Sequence, residues 1–382
     1  MKIQGFHFFN SFSRLALLAS LSAVANFCYA EEEAREKHQY IFEDIKVLPA
    51  SAEEPLLDHF SPQKADAYLA AGATAWTKEK NCISCHTNGS YLLLRPALTD
   101  TLGKPDEKIR DFYVSVLEKR EAEDPEKLKN HGVTPSELAL LAAGLAEWDA
   151  HVTHQLSEET RRALTLMFKV QEEDGSFAND DCWPPFESSD YLSATVAAMA
   201  AATAPGYLDS IDAPSKTAYD KLIAHLKENE PVHDYASLQL LWTATRVEGL
   251  ISTEQQKAII EMIFSHQRPD GGWAIRTFAA PDAWGGGNRE DKLLEEPDIE
   301  NPPSEGYQTG LAVVVLRDAG VPVEDPRLQK AAAWIKNNQR ESGRWWTRSL
   351  NNDKFHFITY SGTLLPLLAL EKTNQLPPLG AE

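Results

Sequence analysis

Apolar residues in this chain recur every three or four positions over long stretches, broken by short polar runs that hold much of the glycine and proline. That spacing predicts helices over 65–77, 136–150, 158–171, 192–202, 218–227, 236–246, 253–267, 309–319, 326–339 and 362–370. The period-two alternation of half-buried strands is almost absent. The helical stretches come in pairs. The loop that ends the first helix of a pair repeats three times: Gln171 with Asp174, Gly175 and Phe177; Gln267 with Asp270, Gly271 and Trp273; and Gln339 with Gly343 and Trp345. The second helix of a pair opens at Tyr91, Tyr191, Tyr235, Tyr307 or Tyr360, with Glu137 at the matching place in one pair. A lone helical hairpin cannot bury its own apolar stripe, so the repeat predicts an all-α fold of about six stacked hairpins.

These Gln-x-x-Asp-Gly-x-Trp loops resemble the repeat motif of the squalene–hopene cyclase and protein prenyltransferase superfamily, most closely over 267–273 and more loosely over about 60–370. The resemblance implies an α/α toroid, with inner helices around a central cavity and outer helices outside them. It also implies that the three glutamines and their aromatics build the fold rather than catalyse. The activity does not carry over. A cyclase of that family protonates an alkene with an Asp-x-Asp-Asp cluster, where this chain has Phe186, Glu187, Ser188, Ser189, Asp190 and Tyr191. The zinc-binding set of the prenyltransferases is not recognisable either. An isoprenoid or lipid in the cavity is the ligand class that the fold analogy implies.

Asn81-Cys82-Ile83-Ser84-Cys85-His86 holds Cys-x-x-Cys-His, the attachment motif of c-type haem: two thiols add across the haem vinyl groups and the histidine ligates iron. A redox disulfide and half of a zinc site are the rival uses of such cysteines. The expected cofactor is one covalent haem c. Between His86 and Met167 there is no methionine, so His131 and His59 are the expected distal ligands, with a five-coordinate iron, its sixth position open, as the alternative. The motif stands where later repeats carry their glutamine loop, which predicts a haem at the loop end of the toroid. Arg95 is expected either against a haem propionate or on the surface. Around the same rim the sequence places Glu187, Asp190, Tyr191, Asp234, Glu305, Tyr307 and Tyr360, with Asp190 and Asp234 also read as helix caps.

Residues 1–30 combine Lys2 and Arg14 with an apolar run over 15–27 and small residues at the end, which reads as an export signal. Its loss, with no acidic residue, would take the net charge from −20 to −22. That sign excludes nucleic acid and anionic lipid as expected partners and suits a periplasmic protein with a redox partner protein. No transmembrane segment is expected in the mature chain. The organisation expected is a signal over 1–30, an extension over 31–60, the helical domain over 61–372 with the haem motif at 82–86, and a tail over 373–382. Functionally, the sequence points to a monohaem electron-transfer protein. The alternatives are a haem-dependent oxidoreductase acting on a cavity-bound isoprenoid or lipid, and a lipid-binding protein without cyclase activity.

Overall fold

The computed structural model describes residues 38–179, 185, 189–351 and 354–379. The expected signal, Cys182 and Glu187 lie outside the described residues. Over the rest the chain is all-α, apart from a short antiparallel hairpin of β1 (Tyr40–Phe42) and β2 (Ile45–Val47). The helices that carry the architecture are α1 (Pro62–Lys80), α2 (Asn88–Leu94), α3 (Glu107–Glu121), α4 (Thr134–Trp148), α5 (Glu158–Lys169), α6 (Asp190–Thr203), α7 (Ala213–Glu228), α8 (Asp234–Ala244), α9 (Thr253–Ser265), α10 (Gly306–Asp318), α11 (Pro326–Asn337) and α12 (Ser361–Lys372). No described helix is long and apolar enough to cross a membrane.

Caps set the boundaries. Ser61 accepts a hydrogen bond from the Lys64 amide ahead of Pro62, and Asp212 does the same for Ser215, so α1 and α7 begin earlier than the apolar spacing alone predicts. Helix α3 and the β-hairpin are among the elements that escaped that spacing. Helix α3 buries only Ile109, Tyr113, Val116 and Leu117 from an otherwise charged sequence. The β-hairpin is too short to show an alternation.

The even-numbered helices form the interior. Every residue of α4 is buried, and so are ten of the twelve in α12, Ser361 to Leu370. Helix α2 packs on α4, α4 on α6, α6 on α8, α8 on α10, α10 on α12, and α12 on α2. The half-exposed odd-numbered helices pack against them. Helices α10 and α12 come close because a Cβ on Gly310 would lie 2.5 Å from the Leu365 backbone. At the C-terminal ends of the even-numbered helices, Glu147 pairs with Arg246, which also meets Thr203. Trp242 donates from Nε1 to Asp318, and Lys372 pairs with Asp318.

The repeated loops join neighbouring pairs. The Nε2 of Gln171, Gln267 and Gln339 donates within its own loop to the carbonyl of Gly175, Gly271 or Gly343. It also donates to the next odd-numbered helix or its cap, at Ala218, Arg327 or Ser61. The last bond runs from the end of the chain to its beginning. Residues 38–60, within the expected extension, bond to the closing loop of the helical part. Leu57 donates to Gln339 and Glu341 to Pro55, and Arg344 holds the Leu48 and Pro49 carbonyls.

Candidate functional site

The Cys-x-x-Cys-His loop is the whole connection between α1 and α2. Helix α1 stops because Asn81 adopts the left-handed conformation (φ 52°), which asparagine tolerates better than most residues. Asn88 then templates the loop from inside. Its side chain, fully buried, accepts from the Ser84 amide at 2.9 Å and donates to the Cys82 carbonyl at 2.9 Å and to Thr77 Oγ1. Gly89 donates to the Ser84 carbonyl, and an added Cβ there would lie 2.2 Å from that oxygen. Glycine is thus required for the close approach.

Cys82 and Cys85 are free thiols, the first exposed and the second buried. Desolvation raises the Cys82 thiol above its ordinary value. A thiol poised for disulfide exchange needs the opposite shift. The His86 ring lies flat against Phe357 (centroids 5.0 Å, 13°) and edge-on to Trp76 (4.7 Å, 85°), with Nδ1 2.7 Å from Thr87 Oγ1. Among the described residues no three His, Cys, Asp or Glu groups converge on a bare metal ion. A haem iron asks less of the chain, since the porphyrin supplies four of its ligands and one fixed imidazole supplies the next. Two spaced thiols, one of them facing a cavity, and a histidine held by packing and a hydrogen bond fit that group.

Cys85 lines a narrow cavity to which all six even-numbered helices contribute. Each gives a hydroxyl from its first turn: Ser90, Ser136, Ser193, Tyr235, Tyr307 and Ser361. The six N-termini therefore share one end, with the haem-motif loop among their entering loops. Further along the helices the lining turns apolar, with Leu94, Leu140, Met199, Trp242, Leu311 and Leu365. Tyr235 and Tyr307 meet hydroxyl to hydroxyl at 2.7 Å, and Gln239 donates to Tyr235. Burial pushes the Tyr235 phenol up to about 12 and keeps Tyr307 well above its usual range.

The other described rim residues do not line this cavity. Tyr360 donates to the Leu69 carbonyl and packs on Tyr40 and Tyr68. Tyr191 is buried beside His225. Ser189, not Asp190, caps α6, and Asp190 turns back to the Tyr191 amide. His233, not Asp234, caps α8, and Asp234 meets His266 at 2.7 Å. Glu305 lines a separate small pocket with Arg276, Trp346 and Arg348, where it accepts from the Ile275 amide. Desolvation raises its carboxyl to about 7. Arg95 is not at the surface and does not line the Cys85 cavity. It is buried, bonded to Asp66 and to the Leu102 and Gly103 carbonyls.

His59 precedes α1, whose 19 residues span about 28 Å, so it cannot meet an iron held at the other end of that helix. His131 is exposed and bonded to Thr134. The sequence reading missed Met199, the one thioether among the described walls of the Cys85 cavity, and Thr87. Met199 carried no signal because it lies far from His86 in the chain, while Thr87 stood beside the motif. No protein-family model matches this chain, and no curated protein matches it closely enough to count as a relative.

Proposed function

We propose that this is an exported monohaem c-type redox protein: one covalent haem on Cys82 and Cys85, iron ligated by His86, carried on an α/α toroid of six helical hairpins. The observation that carries the reading is the loop itself, with two residues between its thiols, Cys85 facing the cavity, and His86 fixed by Thr87, Trp76 and Phe357. The succession of packed even-numbered helices, with α12 returning to α2, supports the toroid. When bound, haem c supplies a one-electron iron couple. The chain's own part is to fix the imidazole, to shield one thioether side from water, and to place a partly polar cavity beside it.

The same cavity supports a second reading, a haem-dependent oxidoreductase for an isoprenoid or lipid. Its hydroxyl collar and apolar depth suit an amphiphile with one polar head.

Maturation in a periplasm equipped for haem attachment, followed by absorption spectra with and without carbon monoxide, decides. Covalent haem that is low-spin and indifferent to carbon monoxide is the expected result and makes the protein an electron carrier, with Met199→Ala the next variant. Rapid carbon monoxide binding favours the oxidoreductase. Absence of covalent haem overturns both.

A further inference from the structure

Each of the three motif residues has its backbone carbonyl held by a buried side chain. The Cys82 carbonyl accepts from Asn88 at 2.9 Å, the Cys85 carbonyl from Ser90 Oγ at 2.6 Å, and the His86 carbonyl from Ser361 Oγ at 3.1 Å. Asn88 and Ser90 act from the first turn of α2. Ser361 opens α12, 275 residues from His86 along the chain. Ser90 and Ser361 are 2 % and 1 % exposed, and their hydroxyls also meet each other at 2.7 Å. The loop has two further supports beside this pair: the Phe357 ring flat against His86, and Tyr40 Oη 2.9 Å from Thr87 Oγ1.

At this pair, contacts outnumber protons. A carbonyl oxygen only accepts, so the hydroxyl is the donor in the Ser90–Cys85 and Ser361–His86 bonds. The contact between the two hydroxyls needs a donor as well, and each serine has one proton. Two protons therefore serve three contacts. Either Ser90 divides its proton between Cys85 and Ser361, or Ser361 divides its own between His86 and Ser90. In both arrangements the carbonyls of Cys85 and His86 draw on one shared supply. Removing one serine takes the bond from its own carbonyl. The other serine, relieved of its neighbour, then gives its proton wholly to the other carbonyl.

We propose that Ser90 and Ser361 are a coupled pair of positioning residues that fix Cys85 and His86 through their carbonyls, and so preset the second thiol and the imidazole in the haem-free chain. What that thiol and ring go on to hold rests on the haem reading, whereas the clamp does not. Holding the backbone at both residues keeps each side chain aimed from a fixed origin, which a preorganised site requires. The clamp also ties the motif to the closure of the molecule, since it spans the contact of α12 with α2.

The test uses the full haem-free chain with Ser90→Ala and Ser361→Ala. Cys85-His86 and His86-Thr87 are the only Cys-His and His-Thr pairs in the sequence. Carbonyl ¹³C-cysteine with ¹⁵N-histidine, and carbonyl ¹³C-histidine with ¹⁵N-threonine, therefore give each carbonyl a single resonance. Loss of a hydrogen bond moves a carbonyl ¹³C resonance upfield. Ser90→Ala is expected to move Cys85 upfield and Ser361→Ala to move His86 upfield, with the other carbonyl in each variant unmoved or shifted downfield. Alkylation of Cys85, followed by peptide mass, is expected to quicken about tenfold in Ser90→Ala without any dependence on low urea, the mark of local opening. In the haem-loaded protein, Ser361→Ala is expected to keep its haem while its midpoint potential moves positive, because a less firmly held imidazole is a weaker donor to iron. Both carbonyls moving upfield together in one variant overturns the clamp, since that is a loop merely loosened. Carbonyls that do not move overturn it too, and an unchanged potential overturns the positioning of His86. If Ser90→Ala does not fold, Ser361→Ala decides alone, because it must move His86 and spare Cys85. A chain that takes up no haem sinks the functional reading, while the carbonyl measurement still settles the clamp.

Discussion

A single carboxyl shows how far burial sets behaviour at the scale of one residue. Glu305 stands just before α10, 5 % exposed, and desolvation outweighs the nearby Arg276 in raising its pKa from an ordinary 4.5 to about 7. The sign follows from linkage. Below pH 4.5 the carboxyl is neutral folded or unfolded and contributes nothing. As pH rises towards 7 the unfolded chain ionises first, so stability falls across that window and stays reduced above it, by about 3 kcal/mol at full shift. Glu305→Gln keeps an acceptor for the Ile275 amide and removes the proton. The variant is expected to match the wild type near pH 4.5 and to exceed it at pH 8 in urea unfolding. Parallel stability profiles across that range would mean that Glu305 titrates normally. This behaviour was not legible in the sequence, where Glu305 is one of many acids; what raises its pKa is brought together only by the fold.

Among the elements, the glutamine loops were the most legible part of the chain, because their chemistry is local. Gly271 and Gly343 hold φ of 102° and 92°, and in both loops the indole Nε1 donates back to the preceding helix, at Ile263 or Ile335, at 2.7 Å. Phe177 fills the same place without a donor, and is buried as fully. Three identical glutamines nevertheless do unequal work. Gln171 and Gln267 donate two bonds each, whereas Gln339 also accepts from the Ser61 amide at 2.7 Å and so caps the helix that follows in space but starts the chain. Gln339→Ala should therefore cost about 2–3 kcal/mol and Gln267→Ala about 1–2 kcal/mol, read from denaturant midpoints at equal slope. Equal losses would show that the closing loop carries no more than an internal one. The sequence could not rank them, since nothing local to Gln339 points to Ser61. For the same reason α3 and the β-hairpin stayed hidden: their burial comes from neighbours, not from an apolar period of their own.

For the molecule as a whole, the decisive contacts are those between its two ends. The sequence divides at about residue 60, where the helical period begins, yet the preceding segment is bound through one side chain near the other terminus. Arg344 is 4 % exposed. It donates to the Leu48 and Pro49 carbonyls and to Gln39 Oε1, and pairs with Glu54 at 3.0 Å. With the guanidinium gone, the Leu48 and Pro49 carbonyls lose the donor described for them, while Gln39 Oε1 and the Glu54 carboxylate each lose one donor and keep another, from Tyr68 and the Ser342 amide, and this outweighs the side-chain entropy recovered. Arg344→Ala is expected to lower global stability by about 2–4 kcal/mol and, before that, to open 38–57 locally. Amide hydrogen exchange should then quicken at Gln39, which donates to the Val47 carbonyl, and at Leu57, which donates to the Gln339 carbonyl. The far network at Glu147, Arg246 and Asp318 should keep its protection, since it shares no residue with this one. Unchanged exchange at both amides would mean that β1 stands on α1 packing alone. Faster exchange confined to 38–57 would mean that the haem-motif loop, although encoded entirely within 81–88, has one of its supports held in place from residue 344.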